Sequence, residues 1–111
     1  MNDRFKFRQW DKNTKMMGYY NCNENPLHTL MIPCGKNIMQ CTGLKDENGK
    51  LIFEGDVVNQ NNTIYSVNWC DGSFCFKDAL NGKNYTVEFV MSAKLEVIGN
   101  IYENKELLNE I

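Results

Sequence analysis

Apolar and polar residues alternate along much of this chain, in short runs that are separated by turn residues. In residues 4–10, Phe5 and Phe7 fall on one face, and this two-residue period predicts a half-buried β-strand. A polar turn follows and residues 15–20 return as a second strand, so residues 1–20 are expected to form a hairpin. The opposite face of the first strand carries four residues: Arg4, Lys6, Arg8 and Trp10.

Residues 21–36 interrupt this alternation. They contain Pro26, Pro33 and Gly35 among scattered apolar residues, and no period is sustained. Proline and glycine favour turns and irregular backbone. We therefore expect an irregular excursion between the hairpin and the rest of the chain.

From residue 38 onward the strand pattern returns at short, regular intervals. Dipeptides such as Asn48-Gly49 and Asn61-Asn62 separate the apolar runs and tolerate the positive φ of tight hairpin turns. The longest run places Tyr65 and Val67 on one face. The predicted strands cover residues 38–42, 51–53, 56–59, 63–70, 73–78, 84–91 and 95–101.

Many short strands with tight turns favour a mainly β fold, and we expect a small, strongly bent barrel of the SH3-like kind over residues 38–103. Closing the sheet into a barrel also removes exposed edges. At the end of the chain Asn104 can cap a short helix over residues 104–111, with Leu107 and Leu108 on its apolar side. Two helical turns are not stable alone in water, so this helix must dock on another surface.

Length and composition indicate one domain. The chain has 111 residues, 42% of them hydrophobic, which is enough to form a core without disulfide or metal staples. The first residues carry charge and no apolar h-region, and no apolar run reaches the length of a membrane span. We expect a cytosolic protein that does not enter a membrane.

Charge is distributed unevenly. The net charge is −2, yet residues 1–20 carry five cationic and two acidic side chains, and residues 96–111 carry four acidic side chains against Lys105. The two ends therefore have opposite signs and can attract each other, within one chain or between copies in a homo-oligomer.

Glu54 and Asp56 flank a glycine and are the best candidates for paired catalytic carboxylates or a metal site. No nucleophile or base accompanies them. A Gly-Asp pair before a strand usually serves the turn, with the carboxylate accepting backbone N–H bonds. We favour that role, with Asp46 and Glu47 as solvated loop charges, and we expect neither an enzyme nor a bound cofactor.

His28 is the single histidine, and it lies between Cys22 and Cys34, from where it could join Cys41 in a zinc site. These spacings fit no common zinc pattern, and no two cysteines form a C-x-x-C pair. The five cysteines are expected to be reduced thiols, and no metal is predicted.

The face formed by Arg4, Lys6, Arg8 and Trp10 is the best binding candidate, because cations beside a stackable ring suit single-stranded nucleic acid. The alternative is a solvated strand face with a partly buried tryptophan. The net negative charge of the chain favours this alternative, because non-specific nucleic-acid binding depends on many contacts between cationic side chains and phosphates.

Three separated segments have distinctive sequences: FRQWD at residues 7–11, then QCTGLKD, NGK and EGDVV between residues 40 and 58, and VIGNIYEN at residues 97–104. In this order they resemble the YopX family of small bacteriophage and prophage proteins, found mainly in low-GC Gram-positive bacteria. The resemblance implies no established activity and no catalytic residues. It does imply turn and core roles for the matching positions, and assembly as a homo-oligomer.

These observations lead to one main hypothesis. The chain is expected to be a phage-encoded accessory protein that acts without catalysis, through contacts with a host or phage protein in the host cytoplasm. One alternative is a nucleic-acid-binding module that uses the Arg4, Lys6, Arg8 and Trp10 face. The other is a small hydrolase or nuclease centred on Glu54 and Asp56.

Overall fold

The structure is a computed structural model that describes residues 6–21, 37–70, 72–87 and 94–109. These ranges contain nine β-strands and one short helix. The strands are β1 Lys6–Asp11, β2 Met16–Asn21, β3 Ile38–Lys45, β4 Leu51–Phe53, β5 Asp56–Gln60, β6 Thr63–Cys70, β7 Ser73–Asp78, β8 Asn84–Thr86 and β9 Glu96–Asn100, and the helix is α1 Glu106–Asn109.

The mainly β class is confirmed, and the strands form two antiparallel sheets. The first has the order β2-β1-β3-β4 and the second, a strongly curled half-barrel, has the order β8-β7-β6-β5-β9. We expected all strands from residue 38 onward to build the barrel, but β3 and β4 belong to the sheet of the N-terminal hairpin. The reason is the pairing of β1 with β3, in which Arg8 lies opposite Met39.

Strand positions agree closely with the alternation of the sequence. β4, β6 and β7 have the predicted bounds, and β3 is longer than predicted because it continues to Lys45 past a register shift. The turn Asn61-Asn62 has φ of 50° and 69° at its two residues, as a two-residue hairpin of type I′ requires. The predicted excursion lies outside the described residues except for Asn21, which ends β2, and so do residues 88–91 of the predicted strand 84–91.

Most residues of the hydrophobic core come from the second sheet. Tyr65 and Val67 face it together, as the alternation predicted, and Tyr65 makes an edge-to-face contact with Phe76. Each fully buried side chain of this kind contributes roughly 1.5–3 kcal/mol. The buried members are Ile52, Val58, Tyr65, Val67, Phe74, Phe76 and Leu95.

Ile52 is the member of this core that comes from the first sheet, and hydrogen bonds reinforce the junction between the sheets. Gly55, in the turn between β4 and β5, donates its N–H to the Val67 carbonyl and accepts a hydrogen bond from the Ile101 N–H. On another side of the junction the Glu47 N–H donates to the Leu95 carbonyl. The β4–β5 turn is thus held by strands of the second sheet.

The predicted role of Asn104 as a helix cap is wrong. Its side-chain oxygen accepts the N–H of Asn100, at 3.1 Å, and so faces back towards β9 instead of the helix. The helix begins at Glu106, two residues later than expected. Asn104 therefore tightens the turn between β9 and α1.

The expectation of five reduced thiols is wrong for Cys70 and Cys75, which form a disulfide. Cys70 pairs with Ser73 and Cys75 with Asn68, so the two cysteines are diagonal neighbours on one face of the β6–β7 hairpin, with 6.1 Å between their Cα atoms. A tight hairpin brings cysteines this close without a C-x-x-C spacing. Cys41 is a buried thiol.

No helix in residues 6–21, 37–70, 72–87 and 94–109 has the length and apolar character needed to cross a membrane.

Candidate basic cleft

A cleft of about 620 Å³ opens in the first sheet. We call it the basic cleft. Strands β1, β2 and β4 and the turn between β3 and β4 contribute its lining. The lining residues are Lys6, Phe7, Arg8, Tyr19, Tyr20, Gly49, Lys50, Leu51 and Phe53.

Strand register explains how these side chains meet. Arg8 lies opposite Tyr19 on β2, and directly paired residues point to the same side of an antiparallel sheet. Tyr19 in turn approaches Phe53 on β4 edge to face, with 5.8 Å between ring centroids. The Arg8 guanidinium carbon lies 4.9 Å from the centre of the Phe53 ring, a cation–π contact.

The lining is cationic in a chain that is acidic overall. It contains Lys6, Arg8 and Lys50, and none of the described residues that line it is acidic. Tyr19 is 64% exposed at the rim. The cleft therefore combines positive charge with an accessible aromatic ring.

Arg8, which lines the cleft, forms a buried ion pair with Asp56, with 2.8 Å between Nη2 and Oδ1. The Arg8 Nη2 also donates to the Glu54 carbonyl oxygen at 3.1 Å, and the Phe53 N–H donates to Asp56 Oδ2 at 2.8 Å. Burial raises the pKa of Asp56, although the Arg8 guanidinium and the Phe53 N–H act in the opposite direction. The pair thus fastens β1 of the first sheet to β5 of the second.

This arrangement changes the predicted nucleic-acid face. Arg8 is only 3% exposed, so it is not one of a row of open cations. Trp10 stacks on Tyr102 with 5.7 Å between ring centroids, and Lys6 lines the basic cleft. Arg4 lies outside the described residues. The face is divided because the second sheet packs against its middle.

The candidate carboxylates do not form an open pair. Asp56 is engaged by Arg8 and by the Phe53 N–H, as the turn role predicted, and Glu54 Oε1 lies 3.5 Å from the Gln40 N–H. Across the described ranges no cluster of three His, Cys, Asp or Glu side chains could hold a metal ion. Of the candidate zinc ligands, His28, Cys22 and Cys34 lie outside those ranges.

The predicted role of Asp46 is also wrong. It was expected to be a solvated loop charge, but it is 7% exposed and its carboxylate accepts three backbone N–H bonds. Asn48 and Lys50 donate to Oδ1 at 2.9 and 2.8 Å, and Val97 donates to Oδ2 at 2.9 Å. Asp46 therefore fixes the turn that carries Lys50 and ties it to β9.

Burial acts to raise the pKa of Asp46, but the N–H groups of Val97, Lys50 and Asn48 outweigh it, and the pKa lies below the ordinary value of 3.8. The carboxylate is thus ionised at neutral pH. The Asp-x-Asn-Gly motif predicts a turn, but it does not predict the hydrogen bond between Asp46 and Val97 of β9.

Comparison with known proteins places the chain by fold and by family. It is similar to protein EF1440 from Enterococcus faecalis, whose crystal structure superposes with a TM-score of 0.61 over 93% of this chain and 96% of that one. The two share 24% sequence identity, so the likeness is one of fold. No curated protein matches the chain. The family described as YopX protein matches residues 20–109, which is most of the sequence, and the chain belongs to that family.

Proposed function

We propose that the chain is a non-enzymatic protein-interaction module, encoded by a phage or prophage and active in the cytoplasm of the host bacterium. Its contact surface is the basic cleft together with the adjoining edge of β2. One observation carries the proposal: Tyr19 and Met16, on the same strand, are 64% and 65% exposed. Tyrosine and methionine are enriched at protein interfaces relative to the rest of the surface.

Two further features support a surface made for contact. The exposed Tyr19 side chain lines a concave region, and binding sites are usually concave and lined by apolar and aromatic groups. Strand β2 also carries no charged side chain, in the sequence MMGYYN. Monomeric proteins usually protect an edge strand with charge or proline.

The absence of catalysis is part of the proposal. Asp56, the buried member of the candidate carboxylate pair, is already bound by Arg8 and by the Phe53 N–H. A metal-dependent hydrolase would gain thermal stability on addition of Mg²⁺, Mn²⁺ or Zn²⁺. We expect no such shift, and a rise in Tm that is lost in Asp56→Asn would contradict a non-enzymatic role.

The test of the main proposal is capture of partners from lysate of the host bacterium, with and without nuclease. The bait is the full chain or Tyr19→Ser, and the matched control is Leu80→Ser, because Leu80 is 76% exposed in the turn between β7 and β8. We expect a protein partner that survives nuclease, is retained by Leu80→Ser and is lost with Tyr19→Ser. Capture that is unaffected by Tyr19→Ser would contradict the assignment of the surface.

A nucleic-acid-binding module is the second candidate, and the basic cleft supports it through Lys6, Lys50 and the Tyr19 ring. Arg8 is withdrawn from the row of cations on which this idea first rested. Fluorescence anisotropy with single-stranded DNA and RNA at low salt tests it. Binding that weakens steeply with salt and with Lys50→Gln would favour this candidate over a protein partner.

Self-association is compatible with the first proposal. The cationic N-terminal region and the acidic C-terminal region of different copies can attract each other. Light scattering at low and high salt measures this directly. A mass of one chain at every concentration would rule out the homo-oligomer.

A further inference from the structure

One buried hydrogen-bond donor at the basic cleft has no acceptor. Arg8 is 3% exposed and its Nη2 is used by Asp56 and by the Glu54 carbonyl, but no acceptor meets its Nε in the part of the chain that the structure describes. Buried polar groups in folded proteins are nearly always satisfied. Arg8 lines the basic cleft, but its Nε has almost no accessible surface, so a ligand can supply the missing acceptor only when the Arg8 side chain moves towards the cleft.

The charge of the cleft defines that acceptor. Lys6 and Lys50 lie in the same lining as Arg8, without an acidic side chain among the described lining residues. A guanidinium forms its strongest hydrogen bonds with anionic oxygens. A carboxylate therefore fits the cleft better than a neutral amide or hydroxyl group.

The neighbouring strand defines the form of the ligand. Within the described residues, β2 pairs with β1 on one side, over six consecutive residue pairs without a register shift, and has no other neighbour in the sheet. It contains neither charge nor proline. An edge of this kind can add an extended peptide as a further strand through main-chain hydrogen bonds.

We propose that the basic cleft receives a glutamate or aspartate side chain of a partner protein, whose extended segment pairs with the edge of β2. On binding, the Arg8 side chain moves towards the cleft, so that the carboxylate accepts its Nε–H and lies between Lys6 and Lys50. The Tyr19 ring packs against the apolar residues of the segment. This inference rests on the proposed function and specifies the partner of the same surface. A nucleic-acid phosphate offers a similar anion, but the net charge of −2 disfavours a strand of phosphates, whose binding depends on many cationic contacts.

The first experiment identifies the class of peptide. The full chain is panned against a displayed library of random short peptides, and the Tyr19→Ala protein removes sequences that bind elsewhere. We expect enrichment of peptides that carry Glu or Asp among β-branched residues. The best binder is then synthesised together with its analogue in which the acidic residue is an amide.

Arginine side-chain NMR reads the proposed contact directly. The chain has only two arginines, Arg4 and Arg8, so the two Nε–Hε signals are easily separated. The acidic peptide is expected to shift the Arg8 signal downfield, as a new hydrogen bond to a carboxylate does, and the amide analogue is not. A shift of the Arg4 signal alone, or of neither signal, would contradict the contact.

Affinity measurements supply the matched controls. The amide analogue should bind about tenfold more weakly, and Lys50→Gln should weaken the acidic peptide about three- to fivefold. Lys77 is exposed on β7 of the other sheet, and Lys77→Gln should leave affinity within about twofold. N-methylation of the peptide should abolish binding at alternate positions only, because one side of an added strand faces β2.

The outcomes separate this inference from the function on which it rests. Enriched peptides that are neutral or basic, yet still depend on Tyr19, overturn the acidic partner and leave the interaction module intact. Enrichment that does not depend on Tyr19, or no enrichment, overturns the peptide site, and the lysate experiment then decides the function alone. Single-stranded DNA that displaces the acidic peptide and shifts the Arg8 signal would assign the cleft to phosphate. Tyr19→Ala that converts a dimer to a monomer would assign β2 to a second copy.

Discussion

Replacing Asp46 by asparagine tests how the turn beneath the basic cleft is held. The substitution removes the charge with almost no change of shape. In the better orientation its amide oxygen keeps the N–H bonds from Asn48 and Lys50, but as neutral bonds. Its amide nitrogen then faces the Val97 N–H, donor against donor. Asp46→Asn should therefore destabilise the fold although it removes little contact area.

The magnitude follows from these three bonds. Charge-assisted hydrogen bonds contribute about 1.5–3 kcal/mol each and neutral ones about 0.5–1.5 kcal/mol, so each retained bond loses about 1 kcal/mol. An unsatisfied buried N–H costs about 1–3 kcal/mol, and the Val97 residue is half-buried, which favours the lower part of that range. We expect Asp46→Asn to lower the free energy of unfolding by about 3–4 kcal/mol, a large part of the roughly 5–15 kcal/mol of a domain this size.

Urea unfolding, followed by tryptophan fluorescence and by far-ultraviolet circular dichroism, measures this loss. Trp10 is a suitable reporter because it stacks on Tyr102 across the two sheets. The matched control is Glu47→Gln, which removes the same charge from the exposed neighbouring residue and should change stability by less than about 0.5 kcal/mol. Equal m-values in all proteins would establish that the comparison concerns stability alone.

The pH dependence provides an independent check. The folded pKa of Asp46 lies below the ordinary value of 3.8, so between the two values the unfolded chain binds more protons than the folded one, and stability rises with pH. The contribution of Asp46 is complete above 3.8 and is lost as pH falls through the folded pKa. The difference between wild type and Asp46→Asn should therefore shrink in acid. A difference that matches Glu47→Gln at neutral pH, or one that stays constant in acid, would refute this reasoning.

The buried ion pair and the turn between the sheets give further predictions. Arg8→Met leaves the Asp56 carboxylate buried without a cation and should cost about 3–5 kcal/mol in urea unfolding; adding Asp56→Asn should recover part of that loss, and an additive double variant would contradict the pairing. The pKa of Asp56 is raised in the wild type and should rise further in Arg8→Met, which lacks the lowering effect of Arg8, so this variant should gain more stability than the wild type as the pH is reduced towards the range where Asp56 takes up a proton. Gly55→Ala should lower the free energy of unfolding by about 2–3 kcal/mol, because φ is 87° and the new Cβ would lie 2.7 Å from Met39 Sδ. Gly49→Ala, where φ is 82° and no atom lies within 4 Å of the new Cβ, should cost only the backbone strain of about 1–2 kcal/mol. Equal losses would mean that the close approach to Met39 at Gly55 is unimportant.

Local features of the fold could be predicted from the sequence because local physics determines them. The bounds of β6 and β7 follow from the alternation of side chains and from turn dipeptides, which act within a few residues. Asp56 was correctly assigned to its turn because a Gly-Asp pair before a strand favours a hydrogen bond to a nearby backbone N–H, here that of Phe53, three residues away. Such features need no knowledge of what packs against them.

Features that depend on distant partners were missed. Alternation placed Arg8 on the same face as Lys6 and Trp10, but it could not indicate that the second sheet would cover the middle of that face. The pairing of β3 with β1 is equally non-local, and it removed two strands from the predicted barrel. The position of Lys50 in the cleft also depends on a distant partner. Asp46 accepts the Lys50 N–H and so fixes the turn, and Asp46 is itself bound by Val97 of β9.

The hydrogen bonds that tie the first sheet to the end of the chain have a consequence for biosynthesis. The Asp46 carboxylate accepts the N–H of Val97, which is 51 positions later in the chain. The Asn37 side-chain oxygen accepts the hydroxyl of Tyr102, which is 65 positions later. Contacts with such separations form slowly, since a long loop must close before they yield any energy. A ribosome that has translated only β1 to β8 holds a chain whose half-barrel still lacks β9 and Leu95, so the native fold forms only after these residues have been synthesised.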